Sequence, residues 1–430
     1  MTLTAEPQPR ANLWPGLDQA PTAGIAARIA ERLFRSAIAR LDVTVRLEHP
    51  DGRTETLGRG GPGIVVERPA ELFARLGKDQ LIGFGEAYLT GAWSEEGDPS
   101  DGGLGAFLTV LAAEISTLVP RPLQRLRAMV VTKMPRTHRG SRAHAQDNIA
   151  HHYDLSNGLF EAFLDPTLSY SSALFEDLAT AQTEDFAAAQ HRKIDRLLDQ
   201  AGVTSGTRVL EIGTGWGELA VRAAARGATV RTITLSVEQQ QLARERIAAA
   251  GYADRVQVDL CDYRALLDEP AQAYDAVVSV EMIEAVGAAY WPTYFRTLDH
   301  VLAPGGRVAI QAITMPHDRM LATRSTHTFI TRYIFPGGAL PSVRAIEETI
   351  AQHTSLQVVD DLAIGAHYAA TLRRWDQAFL AARDRVAALG FDETFVRMWH
   401  FYLDYCRAGF AADYINVRQL TFERTDRETR

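Results

Sequence analysis

Three glycines two residues apart, Gly213, Gly215 and Gly217, follow the apolar run Val209-Leu210-Glu211-Ile212 and precede Glu218-Leu-Ala-Val-Arg. The order predicts a strand, a tight turn and a helix. Such a turn can cradle a nucleotide cofactor, because glycine lets the backbone bend sharply and approach a ligand, and a helix N-terminus offers N–H groups without intrahelical partners. A nicotinamide fingerprint places its third glycine three residues after the second and an acid about 20 residues further on. Neither feature is present, since the next strand, Thr229 to Ser236, has no acid at its tip. A dehydrogenase is therefore disfavoured.

Glu211, ahead of the glycines, stands where adenosylmethionine sites carry an acid that accepts hydrogen bonds from the cofactor's amino-acid end. A carboxylate that caps the loop is the alternative. Around this turn the sequence alternates strand and helix, with strands expected at Arg208 to Ile212, Thr229 to Leu235, Val256 to Leu260, Ala276 to Val280 and Arg307 to Ile313. Pro304-Gly-Gly306 is the expected turn into the last of these. The alternation implies an α/β fold with a parallel sheet covered on both faces, whose ligands bind beyond the carboxyl ends of the strands. Gly213 to Gly217, Thr234 to Ser236, Asp262-Tyr263, Glu281 to Glu284 and Gln311 to Thr314 then share one cleft.

Ahead of this region lie a proline-rich arm over 1–22 and a small α+β domain over 23–118, with helical stretches near 69–76 and 79–89. A linker over 119–145 follows. Between Arg121 and Arg142 it holds seven cationic residues and no acid, either as a solvated hinge or as a patch for anionic phospholipid headgroups. A catalytic domain is expected over 146–430.

The net charge of −8 argues against general nucleic-acid binding. Cys261 and Cys406 have no metal-ligand spacing, and no metal site is expected. The N-terminus shows no secretory pattern, and no stretch approaches the roughly 18 apolar residues of a membrane span. A cytoplasmic protein touching the inner face of the membrane peripherally is the expectation.

Asn148-Ile-Ala-His-His-Tyr-Asp-Leu-Ser-Asn-Gly-Leu-Phe160 and Leu168-Ser-Tyr-Ser171 together form an entry segment, the first in a series of five motifs in order. Leu210 to Gly217, Thr234-Leu-Ser-Val-Glu-Gln239, Val280-Glu-Met-Ile-Glu-Ala-Val-Gly287 and Ile364-Gly-Ala-His-Tyr-Ala-Ala-Thr-Leu372 continue it. The series resembles the cyclopropane-fatty-acid synthases and mycolic acid methyltransferases over nearly all of 145–420. The resemblance implies a class I, Rossmann-like S-adenosylmethionine methyltransferase with inserted lipid-site helices. It also implies that Tyr170 and Ser171 close over the methionine end and that Gly213, Thr214, Gly215 and Trp216 line the cradle. Thr234, Leu235 and Gln239 would hold the ribose and methionine side. Tyr263 and Arg264 would flank the adenine, and Asp262 either accepts from its amino group or caps a surface turn.

Family chemistry adds a sulfonium methyl to an alkene, leaving a carbocation that aromatic faces can stabilise. Tyr153, Tyr170, Tyr290, Trp291 and Tyr368 are candidates for that role, His152 for substrate contact, and Phe329, Tyr333 and Phe335 for an acyl tunnel, with core packing as the alternative. In the synthases a bicarbonate held by Cys, Glu, His, an Ile backbone and Tyr takes the proton. Glu284, Ile313 and Tyr368 match that grip, but Ser172 replaces the Cys and Gln311 the His, so bicarbonate binding is doubtful here. A protein carboxylate is then the expected base, Glu284 first and Glu281 second. Gln146, two residues ahead of the entry motif, either reaches the cleft or ends a solvated helix, and an amide is not a base near neutral pH.

Val280 to Gly287 and Gln311 to Met320 look most like the branch of the family that starts tuberculostearic acid synthesis. That branch implies methylation of C10 of an oleoyl phospholipid, a 10-methylene product, a separate reductase and, by family analogy, a homodimer. A true cyclopropane synthase and a catalytically silent lipid-binding partner are the rival readings.

Overall fold

The computed structural model describes residues 14, 16–118, 156–324 and 326–425, and the chain forms two compact units. Gln146, His152, Tyr153 and the basic linker lie outside the described residues.

The first unit holds the N-terminal elements together with His327–Arg332 and Leu372–Ala412. Its sheet has the order β2-β1-β3-β4, with β1 Thr44–Glu48, β2 Thr54–Gly58, β3 Gly63–Val66 and β4 Ser94–Glu95. Val43, Val45 and Leu47 are buried in alternation, as one apolar face requires. The helix Pro69–Leu89 is interrupted at Asp79 and Gln80, where Gln80 takes φ +53°, close to the expected break.

Sequence pattern alone assigns everything after residue 146 to one catalytic domain, with the aromatic helix near residue 400 covering its sheet. That helix, Glu393–Ala411, instead belongs to the first unit. Phe401 lies 5.3 Å from Tyr88 and 4.8 Å from Phe329, and Trp93 stacks on Phe84 at 4.4 Å. The returning helix completes the core around these rings. Within that core the His400 ring lies between Asp376 (2.5 Å) and Glu95 (3.3 Å), while Asp404 accepts from the Gly105 N–H and from Arg407. Asp376, His400 and Asp404 are close enough to surround a cation, but the contacts they make are those of an internally paired ionic cluster.

The second unit carries a seven-stranded sheet of order β10-β11-β9-β8-β5-β6-β7. Its strands are β5 Arg208–Ile212, β6 Thr229–Thr234, β7 Val256–Leu260, β8 Tyr274–Val280, β9 Leu302–Thr314, β10 Leu356–Ala363 and β11 Asn416–Arg424. The five strands from β5 to β9 pair in parallel, as the alternation predicts. β11 and β10 extend the sheet antiparallel. Val209, Val230 and Val278 pack with Ile194 and Ala220 on one face, and Leu210, Ile233 and Val277 pack with Phe295 and Ile346 on the other. Pro304-Gly-Gly306 turns the chain as expected, but inside β9 rather than ahead of it: Gly305 takes φ +75°, and the pairing passes from Leu302 to Arg307 while β8 advances only from Tyr274 to Ala276. β5 lies between β6 and β8, so the chain leaves the sheet centre in opposite directions around β5. The carboxyl end of β5 is thus the switch point where Rossmann-like sheets hold ligands.

No helix among the described residues is long and apolar enough to cross a membrane.

Candidate active site

β5 ends at Ile212, and the chain turns through Gly213 (φ +99°) and Gly215 (φ +52°) into the helix Glu218–Ala225. A side chain at Gly213 would begin 2.6 Å from Cγ of the flexible Met282 side chain, so it is the left-handed backbone, more than packing, that demands glycine. At Gly215 a Cβ would meet nothing within 4 Å, which leaves that side of the turn open to a ligand. Glu211 is 3 % exposed, its Oε2 has no hydrogen-bond partner among the described residues, and burial pushes its carboxyl up to about 8. A buried orphan acceptor is costly until a donor reaches it. The ammonium of an amino-acid end is such a donor, so these residues fit the methionine end of S-adenosylmethionine.

The flanks of the cradle are ordered by their own bonds. The Trp216 indole N–H donates to Asn157 Oδ1 at 2.9 Å, and its ring lies 4.9 Å from Phe160, which in turn meets Tyr170 at 5.1 Å. Thr232 Oγ1 donates to Thr214 Oγ1 at 2.7 Å. Thr234 Oγ1 donates to Gln239 Oε1 at 2.8 Å, while Ser236 caps the helix Val237–Ala249 by accepting from the Gln239 N–H. Leu235 is half-buried between those two polar residues. Asp262 accepts from the backbone and side chain of Arg264, so its carboxylate is engaged as a turn cap and ion pair. Burial raises the phenol of Tyr263, whose hydroxyl is without a partner among the described residues.

A second polar group gathers at the ends of β8 and β9. Glu281 sits in the left-handed region at φ +52°, uncommon for a residue with a side chain. Its Oε1 accepts from the Ser172 N–H at 3.0 Å and from Gln311 Nε2 at 2.8 Å, and its Oε2 from the Tyr368 hydroxyl at 2.8 Å. The donors expected around a bound anion thus converge on a carboxylate of the chain itself. Ser172 contributes its backbone; its hydroxyl is spent on the Ala173 carbonyl. Burial nevertheless raises the Glu281 carboxyl, against these donors.

Glu284 differs. Its Oε1 accepts from the Ile313 N–H, but its Oε2 has no partner among the described residues. Burial, with the neighbouring charge of Glu281, pushes this carboxyl up to about 8. The residue keeps some accessible surface, yet the orphan oxygen has essentially none, and for the proton's energy the oxygen is the relevant atom. The segment after Tyr333 lies against this strand end, where the Ala339 N–H donates to the Glu284 carbonyl at 2.8 Å.

Several expected lining residues fall into place differently. Tyr333 and Phe335 are half-buried in the second unit. Phe329 is buried in the first unit against Phe401, which is core packing. Tyr290 has the Arg264 guanidinium 5.5 Å from its ring centre, so one of its faces already meets a cation.

Three polar residues escape the sequence reading. Lys193, 2 % exposed, donates through Nζ to Ser171 Oγ at 2.5 Å. Gln419, on β11 opposite Gln311, donates to Gln311 Oε1 at 3.0 Å and thereby orients the amide that grips Glu281. Gln190 Nε2 donates to the Ser169 and Ser171 carbonyls at 3.3 and 3.0 Å. A signal was present for two of them: Gln190 and Lys193 lie on the same stripe of the helix Phe186–Gln200 as Ile194 and Leu197, where apolar residues belong.

Comparison with known proteins agrees with this geometry. A family model described as mycolic acid cyclopropane synthetase matches residues 140–420. The chain is 53 % identical over 418 residues to the tuberculostearic acid methyltransferase of Mycobacterium tuberculosis, covering 96 % of this chain and 95 % of that protein. It is 33 % identical over 378 residues to the cyclopropane-fatty-acyl-phospholipid synthase of Escherichia coli, covering 86 % and 92 %. The solved structure of the mycolic acid cyclopropane synthase CmaA1 complexed with SAH and CTAB superposes with a TM-score of 0.58 at 28 % identity, over 67 % of this chain and 98 % of that one.

Proposed function

The chain belongs to the mycolic acid cyclopropane synthetase family of S-adenosylmethionine-dependent fatty-acid methyltransferases, and we propose that it methylates C10 of an oleoyl chain on a phospholipid to give a 10-methylene chain. Identity of 53 % to a tuberculostearic acid methyltransferase along nearly the whole chain supports the branched product over the ring. When bound, the cofactor supplies an electrophilic methyl. The alkene π pair forms the new C–CH3 bond as the carbon–sulfur bond breaks towards sulfur, leaving a cation at C9. A hydride moves from C10 to C9, and loss of a proton from the new methyl then closes the methylene double bond.

The observation that carries this reading is the pairing of two buried carboxylates with different partners. Glu281, held by three donors, is arranged as the fixed negative charge facing the substrate cation. Glu284, with a buried open oxygen, is arranged as the proton acceptor. A base of this kind works best with its pKa near the operating pH. Peripheral membrane contact, a homodimer and a separate reductase for the methylene product belong to the same reading.

Incubation with methyl-labelled cofactor and oleoyl phospholipid tests it. Label is expected in the acyl chain; a protein that binds both and transfers nothing is a silent lipid-binding partner, and the proposal fails.

A further inference from the structure

Lys193 is the only lysine among the buried described residues, and neither step above uses its charge. It projects from the helix Phe186–Gln200, and the one hydrogen bond of its ammonium among the described residues goes to Ser171 Oγ. A buried ammonium has three N–H donors, so two are unspent. The carboxylates acting on it are Glu281, Asp165 and Glu211, and burial still depresses the amine to about 8. Asp165 Oδ1 and Glu211 Oε2 both lack a hydrogen-bond partner among the described residues. An amine in such surroundings is expensive to keep unless a ligand or a fixed role compensates.

The methionine end of the cofactor is a zwitterion and needs two complementary groups. Glu211 suits its ammonium. The carboxylate needs donors, and the described residues place one cation beside Ser171, the serine that the family resemblance assigns to this end. Resting on the cofactor reading, we propose that Lys193 positions the cofactor's carboxylate through Ser171. The ammonium donates to Ser171 Oγ, which fixes that oxygen as an acceptor and turns its O–H outward to donate to the carboxylate. Lys193 is thus a positioning residue, acting through Ser171.

Calorimetric titration of the full chain with S-adenosylhomocysteine and with 5′-methylthioadenosine, which lacks the amino-acid end, tests the inference. Lys193→Met and Ser171→Ala are each expected to weaken S-adenosylhomocysteine about tenfold to a hundredfold, the range for a hydrogen bond involving a charged group, and to leave methylthioadenosine within about twofold. The double variant is expected to bind no more weakly than Lys193→Met, because both changes cut one path. An equal loss for both ligands would make Lys193 a support of the fold and overturn the proposal. Unchanged S-adenosylhomocysteine binding in Ser171→Ala, the milder variant, would overturn it too. If the unaltered protein bound neither ligand, the cofactor reading would fall and take the inference with it.

Discussion

The Tyr368 hydroxyl donates to Glu281 Oε2 at 2.8 Å, so a helix far along the chain secures the carboxylate at the end of β8. Oε1 of the same carboxylate is already held by Ser172 and Gln311. Tyr368 therefore sets the second oxygen and with it the plane of the carboxylate. Replacing Tyr368 with Phe removes the donor at little change in volume. We expect kcat/KM to fall about tenfold to a hundredfold, the value of a bond to a charged group, with little change in cofactor affinity. Equal losses in both would assign Tyr368 to cofactor binding.

Glu281→Gly should behave unusually for a site variant. The left-handed backbone suits glycine, so the fold tolerates the change. The Ser172, Gln311 and Tyr368 donors are then left facing an empty acceptor position. Activity is expected to collapse and to recover in part when bicarbonate or formate is added, while the unaltered enzyme is indifferent to either. Assay in bicarbonate-depleted buffer, with and without the anion, measures both arms.

The pH dependence follows from Glu284 and Glu211. Both carboxyls are raised from 4.5 to about 8 in the folded state, so the folded chain holds protons that the unfolded chain releases. Their contribution to stability is present below pH 4.5 and is lost as pH rises to about 8. Glu284→Gln, nearly the same shape and never ionised, is expected to raise the melting temperature of the cofactor-free protein more at pH 8.5 than at pH 5.5. Activity of that variant should drop on the order of 10²- to 10⁴-fold, the scale of a lost general base.

In the first unit, His400 carries a raised pKa of about 10: burial alone would lower it, but the hydrogen bond to Asp376 and the ion pair with Glu95 outweigh that effect. Its contribution is complete below the unfolded value of 6.5 and fades as pH rises towards 10. His400→Gln strands buried carboxylates, and a loss of about 3–5 kcal/mol at pH 7 is expected from denaturant unfolding. The variant should approach the parent as pH rises towards 10.

Much of the second unit was legible in the sequence because parallel strands buried on both faces write continuous apolar runs, and the switch-point turn needs glycine. The cradle and the acids at the strand ends followed from those positions. The donors on Glu281 were legible only singly. Their convergence depends on its left-handed backbone, a conformation that residue type does not announce. Gln419 was hidden for another reason: it is a polar residue on a buried strand, and its meaning comes from Gln311, distant in sequence. Lys193 shows as a polar residue on an apolar stripe, but that pattern does not name Ser171 as its partner. The aromatic helix around Trp399 reads as a cover for the second unit's sheet yet belongs to the first unit, since an apolar stripe tells that a face is buried and not against what; for Phe329 the core-packing reading is the one that fits.

The central claim is that protein carboxylates steer the substrate cation to a methylene branch. Proton and carbon NMR of the lipid formed from ¹³C-methyl cofactor and an oleoyl phospholipid tests it most directly, because branch and ring have the same mass. The account predicts that the label appears as a terminal olefinic =CH2 carbon with its attached protons. Label in an upfield cyclopropane methylene, with no olefinic signal on the labelled carbon, would contradict it.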